Sequence, residues 1–326
     1  MSGESVESAQ DGGPRAISWA EVVRLRTLPA AVAPVILGAG AAAVMGDFSV
    51  VRTLLAAGIA LALQIGCNLA NDYSDGVRGT DDERTGPPRL TASGQVAPRT
   101  VKLAAFGCFG LGALLGLGLL ALSGQWWLLA VGAAAIAAAW FYTGGSRPYG
   151  YAGLGELFVF IFFGLVATAG TTYVQTDTVP GWLWPSACGI GLLACSLLMV
   201  NNLRDIDTDP DHGKMTLAVR LGERGARRAF SAMLYLPLLL GAVALVWARE
   251  TGSASPADGG GHVSPLLTLV VALTVPLLLL PLVRRATAPV RTGARGRDLI
   301  GSLRDAGLLE LAYGIVFAAA TVIITL

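Results

Sequence analysis

Long apolar runs separated by short polar loops dominate this chain. Nine of them lie at roughly 29–46, 53–71, 103–123, 125–143, 154–174, 182–201, 229–248, 264–283 and 307–326. Each holds about 18–21 residues, which at about 1.5 Å per residue crosses a hydrocarbon core near 30 Å thick. The pattern predicts an all-α integral membrane protein with nine transmembrane helices, built as one domain over residues 19–326. Glycine and proline recur inside the runs, as lipid-embedded helices permit. The third and fourth runs are joined by a very short turn at Ser123-Gly124, which makes them antiparallel neighbours. Small residues repeat at four-residue spacing, in Gly112-Ala113 with Gly116-Leu117 and in Gly164, Thr168 and Thr172. Such ridges let helix backbones approach closely and favour a compact bundle. Residues 1–18 (MSGESVESAQDGGPRAIS) are polar and lack an apolar centre, so they read as a disordered tail and not as a signal peptide.

Composition agrees with the pattern. Of 326 residues, 54% are hydrophobic and 14% charged, against about a quarter charged in an ordinary soluble domain. A net charge of +1 selects no partner, and the absence of a basic face interleaved with aromatics argues against nucleic acid. All four cysteines lie inside apolar runs without a CxxC pair, and only two histidines occur. A thiol–histidine metal site and a Ser-His-Asp triad are thereby disfavoured. Of the 23 Lys and Arg residues, only Arg52 and Arg249 fall in loops on one side of the alternating spans. The other 21 share the opposite side. The positive-inside rule puts that richer side, with the N-terminus, in the cytoplasm and the C-terminus outside, in a multi-pass cell-membrane protein.

Against this background the polar stretch NDYSDGVRGTDDER (71–84) stands out, with five acids in fourteen positions at the end of the second run. If the helix continues through it, Asn68, Asp72 and Asp75 share a face by their spacing. Asp81, Asp82 and Glu83 follow Gly79 and belong to a loop. A second cluster, NNLRDIDTDPDHGK (201–214), ends the sixth run. There Asn202, Asp205 and Asp209 share a face, while Asp207 points elsewhere. Two helix ends on one side of the membrane therefore each carry an Asn and two Asp.

Carboxylates crowded at a low-dielectric boundary repel one another unless a cation sits among them. Hard oxygen ligands suit Mg²⁺ or Ca²⁺, and Mg²⁺ commonly completes its shell with substrate phosphates. Arg78, Arg84, Arg89, Arg204 and Lys214 stand ready to complement phosphate oxygens that metal does not hold. The clusters thus describe a diphosphate clamp, and a polyprenyl diphosphate meets both its demands, a chelatable leaving group and a lipid-soluble chain. Ionising it gives an allylic cation, which an electron-rich acceptor captures. Tyr73, Tyr142 and Tyr149 read first as interfacial belt residues, with stabilisation of that cation by their faces as the alternative. The YGYAGLGE stretch (149–156) opens the fifth run with glycines and Glu156, either for close substrate approach or as a plain helix-start turn.

At these residues the chain resembles the UbiA superfamily of intramembrane prenyltransferases, and within it the dihydroxynaphthoate polyprenyltransferases of menaquinone synthesis. The likeness rests on NLANDYSDGVRGTDDERTGPPRLTASG (68–94), YTGGSRPYGYAGLGELFVFIFFG (142–164) and NNLRDIDTDPDHGKMTLAVRLG (201–222), and extends from about residue 20 to the end. It implies a nine-helix bundle around a central cavity open to the cytoplasmic side, with Mg²⁺ as cofactor. It also implies transfer of a polyprenyl group to 1,4-dihydroxy-2-naphthoate with decarboxylation, giving demethylmenaquinone. By the resemblance, the metal ligands are Asn68, Asp72, Asp75, Asp81, Asp205 and Asp209, with Asp72, Asp75, Asp205 and Asp209 catalytic. Asn68, Asn71, Tyr73, Arg84, Arg89, Tyr142, Arg147, Tyr149, Asn202 and Lys214 form the substrate-binding set. One departure is plain: the wider family's NxxxDxxxD spacing would put an acid at position 76, where Gly76 stands. Other acceptors (hydroxybenzoate, homogentisate, a phosphorylated polyol) share the mechanism. A secondary transporter is the rival of a different class, but transporters hold their acids near the bilayer midplane and these lie at helix ends.

Overall fold

The computed structural model describes residue 24 and residues 27–79, 89–252 and 264–325. The expected tail (1–18), Asp81 and Arg84 lie outside the described residues. Among the described residues every regular element is helical. In chain order the apolar helices are α1 (Leu28–Val44), α2 (Val50–Arg78), α3 (Pro98–Ser123), α4 (Leu128–Phe141), α5 (Gly155–Thr176), α6 (Leu183–Arg204), α7 (Leu217–Gly252), α8 (Pro265–Arg291) and α9 (Ile300–Thr325). Each expected run has become one helix. Seven are long and apolar enough to cross a membrane, which makes the chain a multi-pass membrane protein. The two shorter ones, α1 with 17 residues and α4 with 14, would reach about 26 and 21 Å at 1.5 Å per residue, less than a full hydrocarbon core.

The bundle has a packed half and a hollow half. Leu37 of α1, Ile190, Leu193 and Leu197 of α6, Phe230 and Leu234 of α7, Val283 of α8, and Leu309, Tyr313 and Phe317 of α9 form one continuous buried core. Glycines make its closest approaches possible. A Cβ at Gly164 of α5 would overlap the backbone of Gly191 on α6, and one at Gly241 would overlap the Phe317 ring. The other half, α2 to α5, is lined more thinly. No residue of α4 is buried, so this Ala/Gly-rich helix forms a wall and not a core element. The expected α3 ridge accordingly divides its work. Gly112 faces Leu63 of α2, whereas Gly116 has no neighbour within 4 Å and opens onto a cavity.

Backbone breaks deliver the functional loops. α2 ends in Gly79 at φ +73, a left-handed cap that glycine adopts without strain. α7 is interrupted at Gly222 (φ +68), which separates a short arm, 217–221, from the long apolar span. α5 widens to π-helical geometry over Phe160–Val166, a form that recurs at functional sites.

Candidate functional site

A cavity of ≈ 590 Å³ occupies the hollow half, within the roughly 300–1,000 Å³ usual for ligand sites. Its deep part is an apolar bore lined by Ala56, Ile59, Leu63, Gly116, Leu119, Leu128, Gly132, Phe162, Gly170 and Val174. Its mouth is polar, and here both acidic clusters converge. Asn68, Asn71 and Asp75 of α2 line it, together with Asn201, Asn202, Asp205 and Asp209 at the end of α6. Arg24, Arg89, Tyr142, Tyr149, Tyr151, His212 and Lys214 complete the rim.

One ion pair bridges the two clusters. Lys214 Nζ donates to Asp75 Oδ2 at 3.0 Å, and the Tyr151 hydroxyl donates to Asp75 Oδ1 at 2.7 Å. The loop after α6 is tight: the Asp209 N–H returns to the Asp205 carbonyl at 2.9 Å, Gly213 turns at φ +72, and the Lys214 N–H returns to the Asp209 carbonyl at 2.9 Å. This geometry carries the Lys214 side chain back over the mouth. The Met215 N–H also bonds the Tyr151 carbonyl at 2.9 Å, tying the loop to the short helical turn Tyr149–Ala152. The Tyr151 ring lies under two cations, Lys214 Nζ at 5.0 Å and the Arg78 guanidinium at 5.4 Å from its centroid. Asp205 is gripped by Arg204, at 2.8 Å from Nε and 2.6 Å from Nη2, and Arg204 also donates to Asn201 Oδ1 at 3.0 Å. Among the described residues no three carboxylate, imidazole or thiol groups form a ready-made metal cage; Asp75 and Asp205 are balanced by basic side chains instead.

Three expected site residues are placed elsewhere. Asp72 is fully buried and does not line the cavity. Its carboxylate accepts the backbone N–H groups of Leu90 (3.1 Å) and Thr91 (2.9 Å), pinning the segment that carries Arg89. The cause is helical phase: at about 100° per residue, Asn71 and Asp75 are nearly in line while Asp72 turns away from Asn71 by a quarter turn or more. Asn71, not Asp72, lines the mouth, its Oδ1 accepting from Thr143 Oγ1 at 2.8 Å. Tyr73 faces outward, stacked on Trp140 at 6.3 Å with Lys102 Nζ 5.4 Å from its ring. Arg147 is exposed and off the cavity wall. The departure at Gly76 also has a physical reason: a Cβ there would lie 2.6 Å from Thr91 Cβ, so the pinned segment leaves no space for a side chain.

Tyr142 and Tyr149 do line the mouth, edge to face at 5.6 Å, and Tyr149 stacks on Phe158 at 4.1 Å. Burial pushes both phenols up, that of Tyr142 further raised by nearby Glu156, so both remain neutral hydroxyls. The sequence reading missed Tyr151 and Arg24. Tyr151 sits in the quoted YGY repeat, one helical turn before the α5 glycines, where a second tyrosine was available as a signal. Arg24 lies in the polar lead-in to α1, and nothing in its neighbours marks it.

A membrane bundle with acidic and basic groups gathered over an apolar bore defines a class of enzyme that works on a lipid carrying a charged head. The model of the UbiA prenyltransferase family matches residues 31–289, and the chain belongs to that family. It is similar to a 1,4-dihydroxy-2-naphthoate octaprenyltransferase of Mycobacterium tuberculosis, 48% identical over 93% of this chain and 96% of the relative. An Escherichia coli protein of the same name is 43% identical over 68% of this chain and 73% of its own length. Among solved structures, the apo form of a UbiA homologue from Aeropyrum pernix superposes with TM-score 0.61 at 17% identity, over 95% of this chain and 100% of that one. A UbiA homologue from Archaeoglobus fulgidus bound to DMAPP and Mg²⁺ gives 0.59 at 15%, over 93% and 99%. At such identities these two speak for the fold alone.

Proposed function

We propose that the protein transfers a polyprenyl group from its diphosphate to 1,4-dihydroxy-2-naphthoate, with loss of the ring carboxylate, in menaquinone synthesis. The observation that carries the reading is one polar mouth, shared by two acidic helix ends, on top of one apolar bore. The prenyl chain lies in the bore, where its burial is driven by the hydrophobic effect, and the diphosphate lies at the mouth. The relatives named for dihydroxynaphthoate support the acceptor, and the Archaeoglobus homologue with DMAPP and Mg²⁺ supports a metal-held diphosphate.

The donor set at the mouth fits Mg²⁺. Asp75, Asp205 and Asp209, with the amide oxygen of Asn68 or Asn71, are hard oxygen donors around one space. When bound, the ion would stabilise charge on the departing pyrophosphate. Lys214, paired with Asp75 at the mouth, would be placed to pair with a phosphate oxygen of the bound diphosphate. Arg89 supplies a second phosphate partner from the segment that Asp72 pins. The neutral Tyr142 and Tyr149 rings flank the ionising carbon and offer it their π faces. Carbon–carbon bond formation on the ring releases pyrophosphate and carbon dioxide. The 21-to-2 distribution of basic residues orients the mouth toward the cytoplasm of the cell membrane, where a water-soluble naphthoate would enter.

Purified protein incubated with Mg²⁺, a radiolabelled prenyl diphosphate and dihydroxynaphthoate should yield a lipid-soluble product that disappears with EDTA. Product formed from hydroxybenzoate and not from dihydroxynaphthoate would overturn the acceptor.

A further inference from the structure

Glu156, in the first turn of α5, is a buried carboxyl with no basic partner among the described residues. Only 6% of its surface is exposed; Oε1 accepts from Asn202 Nδ2 at 3.1 Å, and Oε2 has no partner among the described residues. A carboxyl kept there for packing alone would be a poor choice, because one hydrogen bond does not offset desolvation of the whole group. The local backbone is nonetheless built to bring it in. Gly153 turns at φ +76, and Gly155 fits so closely that a Cβ would lie 2.9 Å from Leu198 and 3.1 Å from the Tyr142 ring.

What the carboxyl accomplishes is visible in its partner. Of the two adjacent asparagines at the end of α6, Asn201 is spent: its Nδ2 donates to the Leu197 carbonyl at 2.9 Å and its Oδ1 accepts from Arg204. Asn202 gives its Nδ2 to Glu156, and its Oδ1, on the cavity wall, has no partner among the described residues. An amide can turn over at little cost unless a neighbour discriminates its two ends. Glu156, an acceptor, selects the orientation that directs oxygen to the cavity. Asn202 precedes Asp205 by three residues, within α6, and lines the same cavity as the Tyr142, Tyr149 and Phe158 rings. A flat hydroquinone bound among those rings would need an acceptor for its hydroxyl.

Building on the prenyltransferase reading above, we propose that Glu156 is a positioning residue: it fixes the Asn202 amide so that Oδ1 accepts a ring hydroxyl of the aromatic substrate. A diphosphate and its cation, held by Asp75, Asp205 and Asp209, would not depend on it.

The test is steady-state kinetics of full-length Glu156→Leu and Glu156→Gln, with thermal unfolding as the folding check and quenching of dihydroxynaphthoate fluorescence, without donor or Mg²⁺, as a direct binding readout. E156L should raise the acceptor KM and Kd about ten-fold, the usual cost of one lost hydrogen bond, with the prenyl diphosphate KM and the Mg²⁺ half-saturation unchanged. E156Q, whose amide oxygen can still accept from Asn202, should restore most of the acceptor affinity. An unchanged acceptor Kd in folded E156L, or E156Q as impaired as E156L, would overturn the inference, as would a shift in Mg²⁺ half-saturation equal to that in acceptor KM. Inactive wild-type protein would instead refute the function on which this rests.

Discussion

Asp75→Asn or Asp205→Asn should each lower prenyl transfer by about 10²–10³-fold, or roughly 2.7–4 kcal/mol of transition-state stabilisation, with little change in thermal stability. Both acids line the mouth, Asp75 paired with Lys214 and Asp205 with Arg204. Asparagine keeps the size and one oxygen of each side chain, so Tyr151 still has an acceptor at position 75. Lys214 can turn into the water of the mouth. What is lost is the negative charge that draws a divalent cation to the diphosphate, a deficit that matters most as the leaving group gains charge. A radiolabel assay paired with a melting curve checks this. Activity within a few-fold of wild type in either variant would remove the clamp from the mechanism.

Asp72→Ala is expected to fail for a different reason. Two buried backbone donors, Leu90 N–H and Thr91 N–H, would lose their acceptor. At about 1–3 kcal/mol for each unsatisfied buried donor, the loss is roughly 2–6 kcal/mol. The segment carrying Arg89 should loosen, lowering the apparent Tm, and remaining activity should follow the folded fraction. Differential scanning fluorimetry in detergent separates this outcome from that of Asp75→Asn. A wild-type melting curve with abolished turnover in Asp72→Ala would return Asp72 to the metal site.

These two aspartates also show how far the sequence could be read. The nine apolar runs, the convergence of both acidic clusters and the apolar route for a chain were legible, because period, length and charge are local properties. Helical phase is local too, yet Asn68, Asp72 and Asp75 were grouped on one face from spacing alone. Which side of an arc meets the cavity depends on where α4 and α5 stand. Asn68, Asn71 and Asp75 face it, and Asp72 meets the 89–94 segment instead. Tyr73, one residue further round, lies against Trp140 and off the cavity wall. Gly76 looked like a missing acid, but its meaning came from Thr91, fifteen residues away in sequence and in contact in space. In sequence Glu156 reads only as part of a helix start, since its partner Asn202 is forty-six positions distant.

The account stands on two helix ends acting together on one metal-held diphosphate. Isothermal titration of the purified protein with farnesyl thiolodiphosphate, an analogue that ionises very slowly, measures this without turnover. Binding should require Mg²⁺ and should be lost in both Asp75→Asn and Asp205→Asn. Binding that persists in EDTA, or that survives either substitution, would contradict it.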